Sequence, residues 1–548
     1  MSLSSSEKNK RGQVFVLSAL LGAIAFILVY GPYVLNPVYD GWIMGAVDRD
    51  LAQHYLGFCF YRSSPWSFPL GRITNASYPF DMSVIYTDAI PLLAFVGKLL
   101  DPVLPKTFQY LGIYGMLSMS LMGGTGGLLI YELTGRACAS VVSSLFYALS
   151  WTVLYRMFYH TSLTSQWLIL IAAYMWLRLE PEADIRRSLS AYIALSAAAV
   201  LIHPYLWAMC TGIIIMSLID YLMRSRDLRR TTVYLIVYCL TGIICLWLFG
   251  AFIGDTDASL GIGTFEANLN TFYNSMGMAV LPGFSVAMRQ YEGFGYLGAG
   301  ILFLAVCCAC IALVRRRLPH VDPRRALFLI TACIFILFSI LPEISLNDRV
   351  LVELNLGRVY RYAAGIFRSN GRFIWPVCFF LMTAVISFVI RNIKGRSLAL
   401  IVIFALLLQI ADMMPFLKDR HEIYNASDRT YESYFDGHPA LDEAMGQYDH
   451  IVADIGDAGL DKYQDLNYYA YLHGMTTSNF YYARPIDDRM DGYLEALRQE
   501  MSDGIYDDDS IFIIGEEKLP LYQGLDLHFY EVDGRYIASH RPIPGLDE

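Results

Sequence analysis

The chain has 548 residues, of which 55% are hydrophobic and only 17% charged, with a mean hydropathy of +0.41. A soluble domain carries about 25% charged residues. Here the deficit is uneven: residues 1–414 hold 31 Lys and Arg against 22 Asp and Glu, and residues 415–548 hold 10 against 28. The net charge of −9 is therefore an apolar stretch of +9 joined to an acidic tail of −18. This excludes a single soluble globule, a nucleic-acid binder with a basic face and a disordered polyampholyte. Long continuous apolar runs, rather than alternating ones, exclude a barrel porin.

A spanning helix needs about 20 apolar residues. In chain order the candidates are 14–35, 107–131, 137–158, 163–180, 188–203, 204–223, 231–253, 297–314, 326–342, 373–391 and 397–414. The first follows Lys8, Lys10 and Arg11 and has no small-residue cleavage site, so it reads as a retained anchor. The stretch 88–104 is apolar but short, and is interrupted by Pro91, Lys98, Asp101 and Pro102. The basic loops Lys8–Arg11, Arg136, Arg178–Arg187, Arg224–Arg230, Arg315–Arg325 and Arg391–Arg396 fall on one side only if 88–104 does not cross. Eleven spans are expected, with a cytoplasmic N-terminus and segments 36–106, 254–296, 343–372 and 415–548 on the outer face. The expected fold is thus a polytopic α-helical membrane domain over 1–414, including the outer loop 36–106, followed by an acidic α/β extracytoplasmic domain over 415–548. In that tail His450–Asp454, Ser510–Gly515 and His528–Val532 have strand character, and Pro439–Tyr448 and Tyr493–Met501 helical character.

The first outer segment contains AVDRDLAQHYLGFCFYR, residues 46–62. Asp48 and Asp50 open an amphipathic stretch bearing His54, which shares a helix face with Asp50. Two readings stand for the acids: helix capping, or one carboxylate near the membrane surface acting as general base on an acceptor hydroxyl. The aromatics Tyr61, Trp66, Phe68, Tyr78 and Phe80 suit interfacial anchoring or sugar stacking. Asp88 opens the short apolar segment as a cap or as a second carboxylate. His160 and His203 sit at outer ends of spans, as structural residues or as part of a site. Finally, 353–376 carries Arg358, Arg361, Arg368 and Arg372 on the outer side, with Trp375 beside them. Arginine suits bidentate phosphate binding, so these serve lipid headgroups in general or the phosphate of a lipid-linked substrate.

One long span, an outer loop with an acidic motif, many further spans and a C-terminal outer domain resemble the GT-C superfamily of polyprenyl-phosphate-sugar-dependent glycosyltransferases. DLAQHYLGFCFYRSSPWSFPLG, VIYTDAIPLLA, FYHTSLTSQWLIL, HPYLW, SNGRFIWP and LQIADMMP are similar to those of a bacterial family of GT-C-like membrane proteins, over residues 10 to 415. The resemblance implies an inverting transferase on the outer face of the cytoplasmic membrane. It would move a monosaccharide from undecaprenyl phosphate to a glycan, glycolipid or protein acceptor among the membrane lipids. Asp50 best matches the catalytic carboxylate, with Asp48 beside it. Arg372 is the leading donor-phosphate ligand, supported by Arg368 and, more weakly, by Arg358 and Arg361. His54, Asp88, His160, His203 and Trp375 are expected to bind substrate. A divalent cation, Mg or Mn, is left open, with Asp48, Asp88, His160 and His203 as the residues to hold it. The rival expectation is a transporter or flippase, which predicts ionisable residues at mid-membrane depth. Those of this chain (Glu132, Arg156, Arg178, Asp220) cluster at span ends instead.

Overall fold

The computed structural model describes residues 5–46, 49–182, 184–253, 264–287, 289–315, 322–433, 435, 438–455, 460–484, 486–532 and 534–546. The chain divides into two compact units. The first comprises Met1–Leu35, Leu111–Ile243 and Ser259–Ala426, and the second Asn36–Tyr110, Ile244–Ala258 and Ser427–Glu548. The strands, in chain order, are β1 (Arg72–Ile73), β2 (Met82–Ser83), β3 (Glu343–Leu346), β4 (Arg349–Glu353), β5 (His450–Asp454), β6 (Thr476–Thr477), β7 (Ser510–Ile514), β8 (His528–Val532) and β9 (Arg535–Ser539).

Among its described residues the first unit is mainly helical, with the β3–β4 hairpin as its strands. Among the described residues nine helices are long and apolar enough to cross a membrane: Glu7–Tyr30, Leu111–Thr134, Ala137–Leu154, Ile185–Ile202, Pro204–Ser225, Leu228–Leu248, Pro323–Ile340, Asn370–Asn392 and Gly395–Ala426. The other two expected spans are shorter helices, Trp167–Arg178 with 12 residues and Ala299–Arg315 with 17. At about 1.5 Å per residue the shorter one falls well below a hydrocarbon core of about 30 Å. Small residues set the helix contacts, as they do where backbones must approach closely. A Cβ on Gly22 would lie 2.3 Å from the Met119 carbonyl oxygen, and one on Gly123 would lie 2.5 Å from that of Ser18. Only glycine lets Glu7–Tyr30 and Leu111–Thr134 lie together at these points.

The second unit gathers the expected outer loop, a short piece from 244–258 and the acidic tail. Helix Gly395–Ala426 continues past Pro415, so residues 415–426 prolong an apolar helix, and 36–110 belongs with the tail in this unit. The segment 88–104 forms the nine-residue helix Pro91–Leu99 and the turn Asp101–Val103, which is too short to cross a bilayer. The tail carries a five-stranded sheet in the order β6-β5-β7-β9-β8, parallel across β6, β5 and β7 and antiparallel from β7 to β8. All five residues of β7 are buried, the pattern of a central strand covered on both faces. Helix Asp487–Ser502 lays Leu494, Leu497 and Met501 against Val452, Phe512 and Ile514 of the sheet.

Candidate functional site

In the first unit the site begins with a buried carboxylate. Glu292 lies on the turn Gln290–Gly293 and is 5% exposed. Its Oε2 accepts from Arg156 Nη2 at 2.7 Å and from Arg372 Nε at 2.7 Å; Arg156 Nη2 also donates to the Glu292 carbonyl at 3.2 Å. Burial by itself would raise the pKa of Glu292. The two guanidinium groups, with His160 adding to them, outweigh that and hold the carboxyl well below its ordinary range.

Local sequence explains how the arginines arrive there. Arg372 sits on the turn Asn370–Ile374, which feeds helix Trp375–Asn392 through Pro376 in its first turn. Gly371 is needed because a Cβ there would come within 2.4 Å of the Phe265 carbonyl oxygen. The Arg372 guanidinium lies 4.9 Å from the centre of the Tyr205 ring, and the Tyr205 hydroxyl accepts from the Ser369 amide at 2.9 Å. Arg156 follows the short helix Trp151–Leu154 and is wholly buried. The rings of Tyr155, Tyr159 and Trp375 surround it at 5.0, 5.9 and 5.5 Å. Its Nε and Nη1 nevertheless find no hydrogen-bond acceptor among the described residues. The two guanidinium groups thus share the Glu292 carboxylate.

The expected first-unit residues fall around this centre to different degrees. Arg372 is in it, Trp375 packs on Arg156 and donates to the Phe294 carbonyl at 3.1 Å, and half-buried His160 contributes to its field. His203 serves the helix that follows it, because its Nδ1 accepts from the Tyr205 amide at 3.1 Å and so caps helix Pro204–Ser225. Arg368 is half-buried and has no acidic partner among the described residues, while Arg358 and Arg361 are exposed. Arg156 and Glu292 were not among the expected ligands. The available signal was the arginine in LYRMFYH and the lone acid of RQYEGFGY, both inside aromatic-rich sequence.

The second unit holds the acids of the first outer loop. Asp48 lies outside the described residues. Asp50 is half-buried in the first turn of helix Arg49–Ser63, a position that favours negative charge. His54, one turn on, is 1% exposed, and its Nε2 is 3.7 Å from Asp88 Oδ2, beyond hydrogen-bond length. Asp88 has φ 55° and so does Ile90. A β-branched residue in that region is an outlier that costs roughly 1–3 kcal/mol, so the chain turns sharply where the carboxylate is presented. The Tyr110 hydroxyl donates to the carbonyl of Ala89, between those two residues.

Asp40, ten residues before Asp50, is fully buried. Its Oδ2 accepts from the Tyr468 hydroxyl and its Oδ1 from the Tyr431 amide at 3.3 Å. Burial raises its pKa, and these hydrogen bonds only partly offset the rise. Of the loop aromatics, Tyr61 donates to the Leu70 carbonyl at 2.7 Å, Phe80 lies 4.3 Å from the Arg489 guanidinium, and Tyr78 stacks on His450 with ring centres 3.9 Å apart. Trp66 and Phe68 are more than half exposed. Lys98 lies over the Tyr61 and Trp66 rings, and burial brings its ammonium down to about 8.

Among the described residues no group of three or more His, Cys, Asp or Glu side chains is arranged to hold a metal ion. Of the residues expected to hold one, His203 uses Nδ1 as a helix cap and Asp88 forms an ion pair with His54. No curated protein matches the chain. The model of one family covers the helical part at residues 19–414, and that of its companion C-terminal domain covers the sheet-bearing tail at 440–540. The chain thus belongs to the family described as Domain of unknown function (DUF6311).

Proposed function

We propose that this chain is a multi-pass protein of a bacterial cytoplasmic membrane, with its N-terminus inside and its C-terminal domain outside. In this reading it is an inverting glycosyltransferase that uses an undecaprenyl-phosphate-linked monosaccharide. One observation carries the reading: a wholly buried arginine, Arg156, shares its carboxylate with Arg372 and keeps two N–H groups unmatched. Buried N–H groups left without acceptors are costly, and a phosphate oxygen is the partner whose geometry suits guanidinium N–H groups. The anion completing this centre is the donor's lipid phosphate, with half-buried Arg368 four residues before Arg372 as a further ligand.

In the transfer step the acceptor hydroxyl gives its proton to the Asp50 carboxylate. Its oxygen bonds to the anomeric carbon, and the bond from that carbon to the phosphate oxygen breaks. Polyprenyl phosphate departs with the electron pair. Arginine charge stabilises it, so no proton is required on the leaving group. Asp50 suits the role of base better than Asp40 because it is half-buried, whereas Asp40 is sealed and burial disfavours its ionisation.

The test is transfer of label from a panel of radiolabelled undecaprenyl-phosphate sugars by purified protein in nanodiscs. Asp50→Asn is expected to lower turnover by roughly a hundred- to ten-thousand-fold, the usual contribution of a general base, with donor binding retained. Unchanged turnover in both Asp50→Asn and Asp48→Asn would sink the assignment of the base. Failure of every polyprenyl donor to bind would sink the transferase reading itself.

A further inference from the structure

Helix Trp375–Asn392 is followed, after two residues, by helix Gly395–Ala426. Gly395, with φ 62°, makes that turn as few other residues can, and Lys394 and Arg396 flank it. A second helical stretch, Ala137–Leu154, begins beside it, directly after Arg136. Between these two starts opens a groove of about 450 Å³, with Arg136 and Gly395 at its mouth and Val142, Ala399, Val402 and Ile403 along its walls. That volume is within the usual range for small-molecule sites, roughly 300–1,000 Å³. The walls are aliphatic and so suit hydrocarbon. Arg156 lies just past the other end of Ala137–Leu154, so the groove and the Glu292 centre stand at opposite ends of that stretch.

The mouth is cationic. Arg136 is half-buried, and its Nη1 donates to the Ile393 carbonyl at 2.8 Å. Close by, Arg391 Nε donates to the Leu133 carbonyl at 2.9 Å and Arg315 Nη2 to the Asn392 carbonyl at 2.9 Å. These carbonyls orient the guanidinium groups without neutralising them. Lys394 and Arg396 are exposed. None of the five has an acidic partner among the described residues, and Glu132, four residues before Arg136, pairs with Arg11 and Arg178 at 2.9 and 3.2 Å. The first-turn amides of both helices add to the positive field, since they have no acceptors within the helix. An aliphatic groove that ends in unneutralised positive charge matches a molecule with a hydrocarbon chain and an anionic head. A helix from a protein partner would cover the walls and leave the charges, and a soluble anion would meet the charges and leave the walls.

We propose that this groove holds an anionic glycerophospholipid, with its phosphodiester among Arg136, Lys394 and Arg396 and an acyl chain against Val142, Val402 and Ile403. The inference needs the helices to lie in a bilayer; it does not rest on transferase chemistry. The experiment is native mass spectrometry of the delipidated full chain in detergent, titrated with dioleoyl phosphatidylglycerol and with dioleoyl phosphatidylcholine. Phosphatidylglycerol is expected to bind roughly tenfold more tightly or better. Lys394→Gln/Arg396→Gln, both at exposed positions, is expected to keep the fold and abolish that preference. Ala399→Phe, also at an exposed position, fills the groove and is expected to weaken phosphatidylglycerol by a similar factor. Equal affinity for the two lipids, a preference that survives the double variant, or indifference to Ala399→Phe would overturn the proposal. Loss of phosphatidylglycerol binding in Arg156→Gln would place the lipid at the Glu292 centre instead, and displacement by an equal concentration of undecaprenyl phosphate would give the groove to that lipid; either result overturns it too. Phosphatidylglycerol preference in a protein that binds no polyprenyl donor would sink the transferase reading and leave the groove standing. Donor transfer without that preference would do the reverse.

Discussion

Glu292 in the first unit and Asp40 in the second are both buried carboxylates, yet their chemistry is displaced in opposite directions. Glu292 has two guanidinium partners, which overcome the cost of burial and keep it ionised. Asp40 has a phenol and a backbone amide, neutral donors that leave burial dominant and favour the protonated acid. Depth alone therefore does not fix the state of a buried acid; the charge of what it touches does.

The largest effect that would break this comparison is at Glu292. Glu292→Gln removes the carboxylate that pairs with both Arg156 and Arg372, and is expected to cost about 3–5 kcal/mol, read as a lowered thermal midpoint in detergent. A midpoint within a degree of wild type would show that the arginines are compensated by something else. Because the folded pKa of Glu292 lies below its unfolded value, its contribution is present at neutral pH. It is lost as the pH falls below about 4.5, the ordinary glutamate value.

Arg156→Gln follows. Arg372 continues to neutralise Glu292, so the fold is expected to persist while affinity for undecaprenyl phosphate falls by ten- to a hundred-fold, matching the loss of a charge-assisted hydrogen bond worth about 1.5–3 kcal/mol. Unaltered affinity in a filter-binding assay would make this centre purely structural. Tyr468→Phe is expected to cost about 1 kcal/mol, since Asp40 Oδ2 loses its hydroxyl donor.

The smallest change, and the one that most sharpens the comparison, is Asp40→Asn. A raised folded pKa means that the stabilising contribution of Asp40 is fully present at low pH and declines as the pH rises past the ordinary aspartate range. The sign is opposite to that of Glu292. The variant cannot ionise, so its midpoint relative to wild type is expected to rise between pH 4 and pH 8. A difference that stays flat over that interval would mean Asp40 is ionised in the fold.

Much of the helical architecture was legible because hydrophobic length is a local property. The runs at 107–131, 204–223 and 373–391 become helices Leu111–Thr134, Pro204–Ser225 and Asn370–Asn392. The tail strands at 450, 510 and 528 announce themselves by β-branched and aromatic residues. Less legible were Thr476–Thr477, too short for any periodicity, and Arg535–Ser539, whose partner strands alone make it an element. The continuation of helix Gly395–Ala426 past Pro415 ran against the local expectation that proline ends a helix.

The candidate site was half visible. Arg372, Trp375 and Asp50 stand out by residue type and by position next to apolar runs. Their roles depend on partners that no window of sequence contains: Glu292 is 136 residues from Arg156 and 80 from Arg372, and Asp40 is 428 from Tyr468. Composition and periodicity by themselves determined an apolar, basic helical part and an acidic sheet-bearing tail, because burial of apolar surface is dictated residue by residue. Which charges are paired and which acid holds its proton were decided only by tertiary structure, because electrostatic energy depends on distances between groups that the chain brings together from far apart.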